Sequence, residues 1–391
     1  MGIIFILLKI RKFGLFILVL PSKSKQMKSK LFISALFIAA LACNFISCSK
    51  DGSTTNNPTV TTLGLPSTTY QYNSPMGASD DVVTLGRVLF YDRHLSINNS
   101  ISCGSCHKQS LAFSDNVQFS SGFQNVKGTR NAPPIQNLSN GGNGPAELFW
   151  DGREKSLVDM VLKPMLNHAE MGVVDVSAIV TNVKSMPYYN DLFMKAFQTS
   201  DININNIAVA LSSFVGSITS QNTLFDMSLN GQVTLSGLEA QGQNLFFSKY
   251  NCNSCHQTQM ANGYQRGGGG ATPGFVNIGL DVNYADNGLG ALNGNPADNG
   301  KFKIPNLRNV ALSAPYMHDG RYTTLDQVLE HYSHNIMNHP NLDSRLKDNN
   351  GQPHQMNITT DDKSAIIAFL NTLTDYTMIN DPKFSDPFTV K

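Results

Sequence analysis

Two short motifs constrain this chain more than any other feature: Cys103-Gly-Ser-Cys106-His107 and Cys252-Asn-Ser-Cys255-His256. Thiols three positions apart share one turn and can both reach the vinyl groups of a haem. The His that follows can then present its ring to the iron as an axial ligand. Each motif therefore has the spacing of a c-type haem attachment site, giving two covalent haems. A zinc or redox Cys pair is the alternative. Zinc would require further thiolates or imidazoles at finger spacing.

The remaining cysteines lie near the N-terminus. The chain has 391 residues and six Cys, of which four sit in the two motifs. Cys43 falls inside an apolar segment and Cys48 ends it, so none is left for a disulfide. That segment has Lys28 and Lys30, an apolar run from Leu31 to Ala42, then Phe45-Ile46-Ser47-Cys48. This is the layout of an export signal. Its end resembles the lipobox of bacterial lipoproteins, so residues 1–48 read as a lipoprotein signal, with a lipid on Cys48 tethering the protein to a membrane. Met1 and Met27 are then both candidate starts. A cleaved signal without lipid, or an anchor over Phe5 to Leu20, stays open. The lipid reading places the body on the periplasmic side of the cell envelope, with the outer membrane as one candidate.

Residues 49–75 form a flexible tether, because Ser53 to Pro66 is rich in Thr, Asn and Ser. The ordered body is expected from about Ser74. Net charge is +1, which gives no general electrostatic attraction to nucleic acid. Hydrophobic residues make up 41% of the chain, enough to bury a core. Helical periodicity runs over Asp80 to Phe90, Ile204 to Ile218, Thr324 to Tyr332 and Asp361 to Leu373. Ser236-Gly-Leu-Glu239 is a capping box opening a helix through Phe247. Strand-like alternation is scarce. Gly267 to Gly270 and Gly279 to Gly300 read as loops, and the glycine run lacks the Lys-Ser/Thr ending of a phosphate loop.

The chain also repeats itself. Gly86-Arg-Val-Leu-Phe90 precedes the first motif and Gly242-Gln-Asn-Leu-Phe246 the second. Arg130-Asn131 and Arg308-Asn309 follow, then Asp-Gly-Arg at 151–153 and 319–321, then Ser156-Leu157 and Thr324-Leu325. The expected fold is all-α: two cytochrome c-type domains related by internal duplication, over 76–225 and 226–391, each with one covalent haem.

With these pieces in view, the body resembles the bacterial di-haem cytochrome c peroxidase family, which includes the MauG proteins. The matching segments are Leu85 to Asp92, Leu95-Ser96, the first haem motif, Phe113-Ser-Asp115, Arg130 to Pro133, Phe149 to Arg153, Glu170-Met-Gly172, the second haem motif, Lys301 to Pro305, Leu307 to Asn309, and Ala314 to Gly320. They run in family order over roughly residues 76–375.

The resemblance implies a peroxide-binding N-terminal haem on Cys103, Cys106 and His107. It implies an electron-storing C-terminal haem on Cys252, Cys255 and His256. Aligning the Asp-Gly-Arg triplets sets Pro164 opposite Tyr332, the family slot for the sixth ligand of the C-terminal haem. Pro164 has no donor atom, so the N-terminal iron is expected to be open and the C-terminal iron closed by Tyr332, with His331 and His334 as rivals and Met317 as packing. The removable distal His of many members falls at Phe123 and is missing. The resemblance makes Glu170 the general acid/base and Trp150 an electron relay between the haems. It puts calcium at Asn131 with the backbone carbonyls of Ser313 and Pro315. Met160 departs from the family's usual Gln in the peroxide pocket. The implied reaction is reduction of hydrogen peroxide to water with electrons from a small cytochrome or similar donor. A MauG-like oxidation of residues in a partner protein and a plain di-haem electron carrier are the alternatives, and assembly as a homodimer is left open.

Overall fold

The computed structural model describes residues 70–74, 76–138, 147–256 and 274–388. The signal, Cys43, Cys48, most of the tether and Gly267 to Gly270 lie outside the described residues. Among those described, no helix is long and apolar enough to cross a membrane. The described residues are mostly helical and include one two-stranded antiparallel sheet, Phe275–Val276 with Phe302–Lys303. The helices that position the site are α1 (Asp80–Tyr91), α2 (Tyr188–Phe197), α3 (Ile204–Ser217), α4 (Gly237–Asn244), α5 (Leu325–His334), α6 (Thr360–Asn371) and α7 (Tyr376–Asn380).

Their ends follow from their caps. Ser79 accepts the Val82 N–H to open α1, Asn203 accepts the Asn206 N–H to open α3, and Thr359 accepts the Asp362 N–H to open α6. The capping box at Ser236 and Glu239 opens α4 as its spacing predicts. Beyond Asn244 the helix widens into a π-turn over Leu245–Lys249. Three features depart from the sequence expectation. Tyr72 is buried with the first core, so order starts ahead of Ser74. Leu289–Asn293 is a short helix inside the stretch read as loop. Val176–Ser185 and α2 are helices that periodicity did not single out.

Buried apolar side chains gather in two main clusters, one on α1, α2 and α3, the other on α4 and α6. The two use the same joint. α1 crosses α3 with Gly86 against the Ala210 carbonyl and Phe214, while α4 crosses α6 with Gly242 against the Ala365 carbonyl and Phe369. A Cβ at either glycine would overlap a backbone carbonyl oxygen of the partner helix. Overpacking against a main chain that cannot step aside costs about 1–3 kcal/mol. Ala gains back only about 1 kcal/mol over Gly in a helix. Gly86→Ala and Gly242→Ala are thus expected to lower the thermal midpoint. Gly237→Ala, which meets open space, should leave it unchanged or raise it. Unfolding curves of the three variants check this.

The two cores are not fully split along the chain. Met378 of α7 and Phe384 join the first core although they lie far along the sequence. A buried ion pair ties Arg308 to Asp226, with guanidinium to carboxylate distances of 2.6 and 2.8 Å.

Candidate haem-binding and peroxide site

The first motif is a single helical turn, Cys103–Cys106, with His107 at its end. The Tyr91 ring lies against Gly104, where any side chain would collide with it. His107 Nδ1 is 2.8 Å from the Phe113 carbonyl oxygen. A carbonyl can only accept, so Nδ1 carries the proton and Nε2 presents its bare lone pair. The second motif repeats this arrangement: Cys252–Ser254 forms a tight turn, and His256 Nδ1 sits 3.2 Å from the Pro305 carbonyl oxygen. Burial lowers the pKa of both imidazoles, His256 to about 4, so both are neutral at physiological pH. A neutral imidazole with its second nitrogen tied to a carbonyl is the usual form of a metal-ligating His. The four thiols are free. The residues present therefore fit a covalent haem at each motif. Cys103, Cys106 and His107 would hold one, and Cys252, Cys255 and His256 the other. Among the described residues no group of three or more His, Cys, Asp or Glu side chains is arranged to hold a metal ion.

Glu170 lies beside the first motif. Burial pushes the Cys103 thiol up to about 12 and the Cys106 thiol up to about 11, and the Glu170 carboxylate adds to both shifts. Its own pKa is raised by burial, against the opposing pull of the Asn167 hydrogen bond and the Arg153 charge. Asn167 Nδ2 donates to Glu170 Oε1 at 2.6 Å, and the Asn167 carbonyl accepts the Glu170 and Gly172 N–H groups. This closed loop fixes the carboxyl and leaves Oε2 without that tether. The Pro164 carbonyl accepts from Met171, so Pro164 adjoins the same loop.

Phe123 also meets this loop. Its N–H donates to the Glu170 carbonyl at 2.7 Å, and its ring occupies the space that a side chain at Gly172 would need. Gly172 has φ +69, a conformation glycine adopts without strain. Met160 is buried nearby in sequence, at 9% exposure.

Trp150 is fixed at both ends of its peptide neighbourhood. Its indole N–H donates to the Asn131 carbonyl at 2.9 Å, and its own carbonyl accepts the Lys303 N–H at 2.7 Å. Asn131 is buried, donates from Nδ2 toward the Val117 and Gln118 carbonyls, and gives its N–H to the His318 carbonyl. That last bond places Asn131 beside His318. His318 takes the place of Trp150 in the second hairpin. Leu148 pairs with Glu154 and Tyr316 with Tyr322, and the intervening Gly152 and Gly320 both have positive φ.

Tyr332 is near the second motif. Its phenol is raised well above the usual range, by burial first and then by the Cys255 and Cys252 charges. The two rival histidines have partners of their own. His331 Nε2 lies 2.9 Å from the Ile278 carbonyl, and exposed His334 pairs with Glu330. Met317 adopts φ 73 at the start of the Asp-Gly hairpin.

The carbonyls of Phe113 and Pro305 and the side chain of Asn167 were not singled out from the sequence. Only Asn167 leaves a signal, three positions before Glu170. A carbonyl acceptor has no residue type of its own.

The chain is similar to several known proteins. A family model described as di-haem cytochrome c peroxidase matches residues 80–234. Cytochrome c551 peroxidase of Nitrosomonas europaea is 33% identical over 299 residues, covering 75% of this chain and 80% of the relative. The methylamine utilization protein MauG of Methylorubrum extorquens is also 33% identical, over 305 residues, covering 74% and 77%. Among solved structures, a MauG-like protein associated with microbial copper homeostasis superposes with TM-score 0.69 at 32% identity, covering 86% of this chain and 100% of that one. The diheme peroxidase BthA of Burkholderia thailandensis shares the fold, with TM-score 0.62 at 20% identity over 79% of this chain and 90% of its own.

Proposed function

Since the chain belongs to the di-haem cytochrome c peroxidase family, whose members include MauG, we propose that it reduces hydrogen peroxide to water with electrons from a small cytochrome or similar donor. Two halves related by duplication each attach one haem covalently in this reading. The haems supply the redox-active iron, and the chain sets ligation, protons and distance. The observation that carries the reading is the half-buried, tethered Glu170 beside Cys103 and Cys106.

Glu170 takes a proton from the bound peroxide oxygen and returns it to the departing one, so that water leaves. Asn167 holds Oε1, which leaves Oε2 to carry the proton. Burial favours the neutral acid, so the group can give back what it takes. Trp150 relays an electron between the halves, its N–H held by Asn131 and its carbonyl by Lys303. Asn131 with the Ser313 and Pro315 carbonyls offers oxygen ligands suited to calcium. Cys48 carries the lipid that keeps the protein at the periplasmic face of a membrane.

Neither Phe123 at the loop position nor Pro164 beside Glu170 has a side-chain donor, so neither would close the first iron. The resting ferric protein is expected to show one high-spin and one low-spin signal by EPR, and to bind cyanide without prior reduction. Two low-spin signals, with no cyanide binding, would return the protein to the role of electron carrier.

Tyr332 favours a second reading, the MauG-like oxidation of residues in a partner protein, because a phenolate ligand stabilises oxidised iron. Steady-state assays with reduced cytochrome c separate the two. Sustained turnover supports the peroxidase, and peroxide consumption that stops until a protein acceptor is added supports the rival.

A further inference from the structure

The first haem motif is gripped by a segment from the far end of the chain. Phe384, 2% exposed, sets its ring edge-on to Phe113 at 6.3 Å and 88° and packs against Phe214 at 6.3 Å. Tyr91 donates its hydroxyl to the Phe384 carbonyl at 2.7 Å, and the same Tyr91 ring abuts Gly104 between the two haem cysteines. Gln109 Nε2 donates to the carbonyls of Met378 (3.2 Å) and Asp381 (2.8 Å). Arg87 clamps Ser385 through its carbonyl and hydroxyl, and Tyr72 bonds the Lys383 carbonyl.

One of the residues held this way, Phe113, orients His107. Ala112 and Phe113 both sit in the left-handed region, at φ 54 and 58. Two consecutive non-glycine residues there are strained, and such a turn persists only where its surroundings over-determine it. The turn aims the Phe113 carbonyl at His107 Nδ1. The second motif has a different support. Arg345, from the same half, donates to the Ser254 carbonyl at 2.8 Å.

We propose that residues 376–386 are a positioning strap for the peroxide-side haem, with Phe384 holding Phe113 so that its carbonyl stays on His107. This rests on His107 being the iron ligand. The strap also starts from a knot in the second half. Asp375 N–H donates to Asn309 Oδ1, and the Asp375 carboxylate caps α7 and accepts the Gln221 and Asn222 N–H groups. A shift of that knot would reach the first haem from its proximal side.

The test is resonance Raman of the ferrous holoprotein, following the iron–histidine stretch of the first haem, with ferric cyanide affinity alongside. Phe384→Ala should lower the stretch and weaken cyanide binding by about 10–100-fold, the usual cost of losing a partner of a metal-bound His. Phe384→Leu should restore most of both. The EPR signal of the second haem and the two-haem content should not change. A lowered thermal midpoint with the iron–histidine band unmoved would make the strap simple core packing and overturn the proposal. Should Phe384→Ala fail to fold, Gln109→Leu decides, since it removes two strap hydrogen bonds without opening a cavity. A lowered band supports the strap, and an unmoved one rejects it. If the wild-type first haem shows no iron–histidine band, the reading of an open, His107-ligated first iron fails instead of the strap.

Discussion

Glu170→Gln is expected to cut peroxide turnover by about 10²–10⁴-fold, the usual worth of a positioned acid/base, while both haem spectra stay as in the parent. Gln is nearly the same size and can still accept the Asn167 hydrogen bond through its carbonyl oxygen, so the loop from Asn167 to Gly172 should survive. What Gln cannot do is take up a proton. The pH profile gives the sign. Burial raises the Glu170 pKa above its ordinary value of 4.5. Turnover that starts from the carboxylate should therefore rise with pH through that raised value and level off above it. In the Glu170→Gln variant this limb should be gone. Stability moves the other way, because a folded-state pKa above the unfolded one means that the native state binds more protons in between. The contribution is full below the unfolded value and is lost as pH rises through the folded one. A variant with unchanged turnover would remove Glu170 from the chemistry.

Tyr332→Met carries the second large effect. Desolvation makes this phenol resist ionisation, and a ferric iron against its oxygen is the cation that would draw the proton off. Phenolate then favours ferric iron, whereas thioether favours ferrous. Axial ligands command a span of about 0.8 V, so the substitution should raise the potential of the second haem by on the order of hundreds of mV. Tyr332→Phe should instead leave that iron open, turning its low-spin signal high-spin. Redox titration and EPR of the two variants check this. If neither moves, Tyr332 is a packing residue.

Much of this molecule could be read from the chain. The haem motifs are legible because covalent attachment demands fixed residue types at fixed spacing. α1, α3 and α6 are legible because their apolar faces recur at helical period, and their caps mark where they start. The roles of Glu170, Trp150 and Tyr332 come from resemblance, since a lone Glu, Trp or Tyr has no pattern of its own. Other parts had no signal. α2 begins beside Pro187, and its buried face is carried by Tyr189, Leu192 and Phe193 between exposed polar residues, a pattern too brief to single out. The acceptor of His256 lies 49 positions away at Pro305, a distance only the folded chain closes. His331 and Tyr332 are neighbours in sequence, and only three dimensions show that one ring faces a carbonyl while the other approaches the haem cysteines.

The first core takes in Met378 and Phe384, which leave the ribosome long after α1. A chain is made from its N-terminus onward and its units tend to fold in that order. Here the earlier half cannot close until almost everything after it has been translated. Cys103 and Cys106 therefore remain on an unfinished scaffold through most of biogenesis, while the motif at Cys252 waits for a shorter stretch of chain, since its core is complete at Leu373. The time available for joining a haem to thiols before they are buried should be longer at the first motif, so shortening the chain's tail would disturb maturation of the haem farthest from it in sequence.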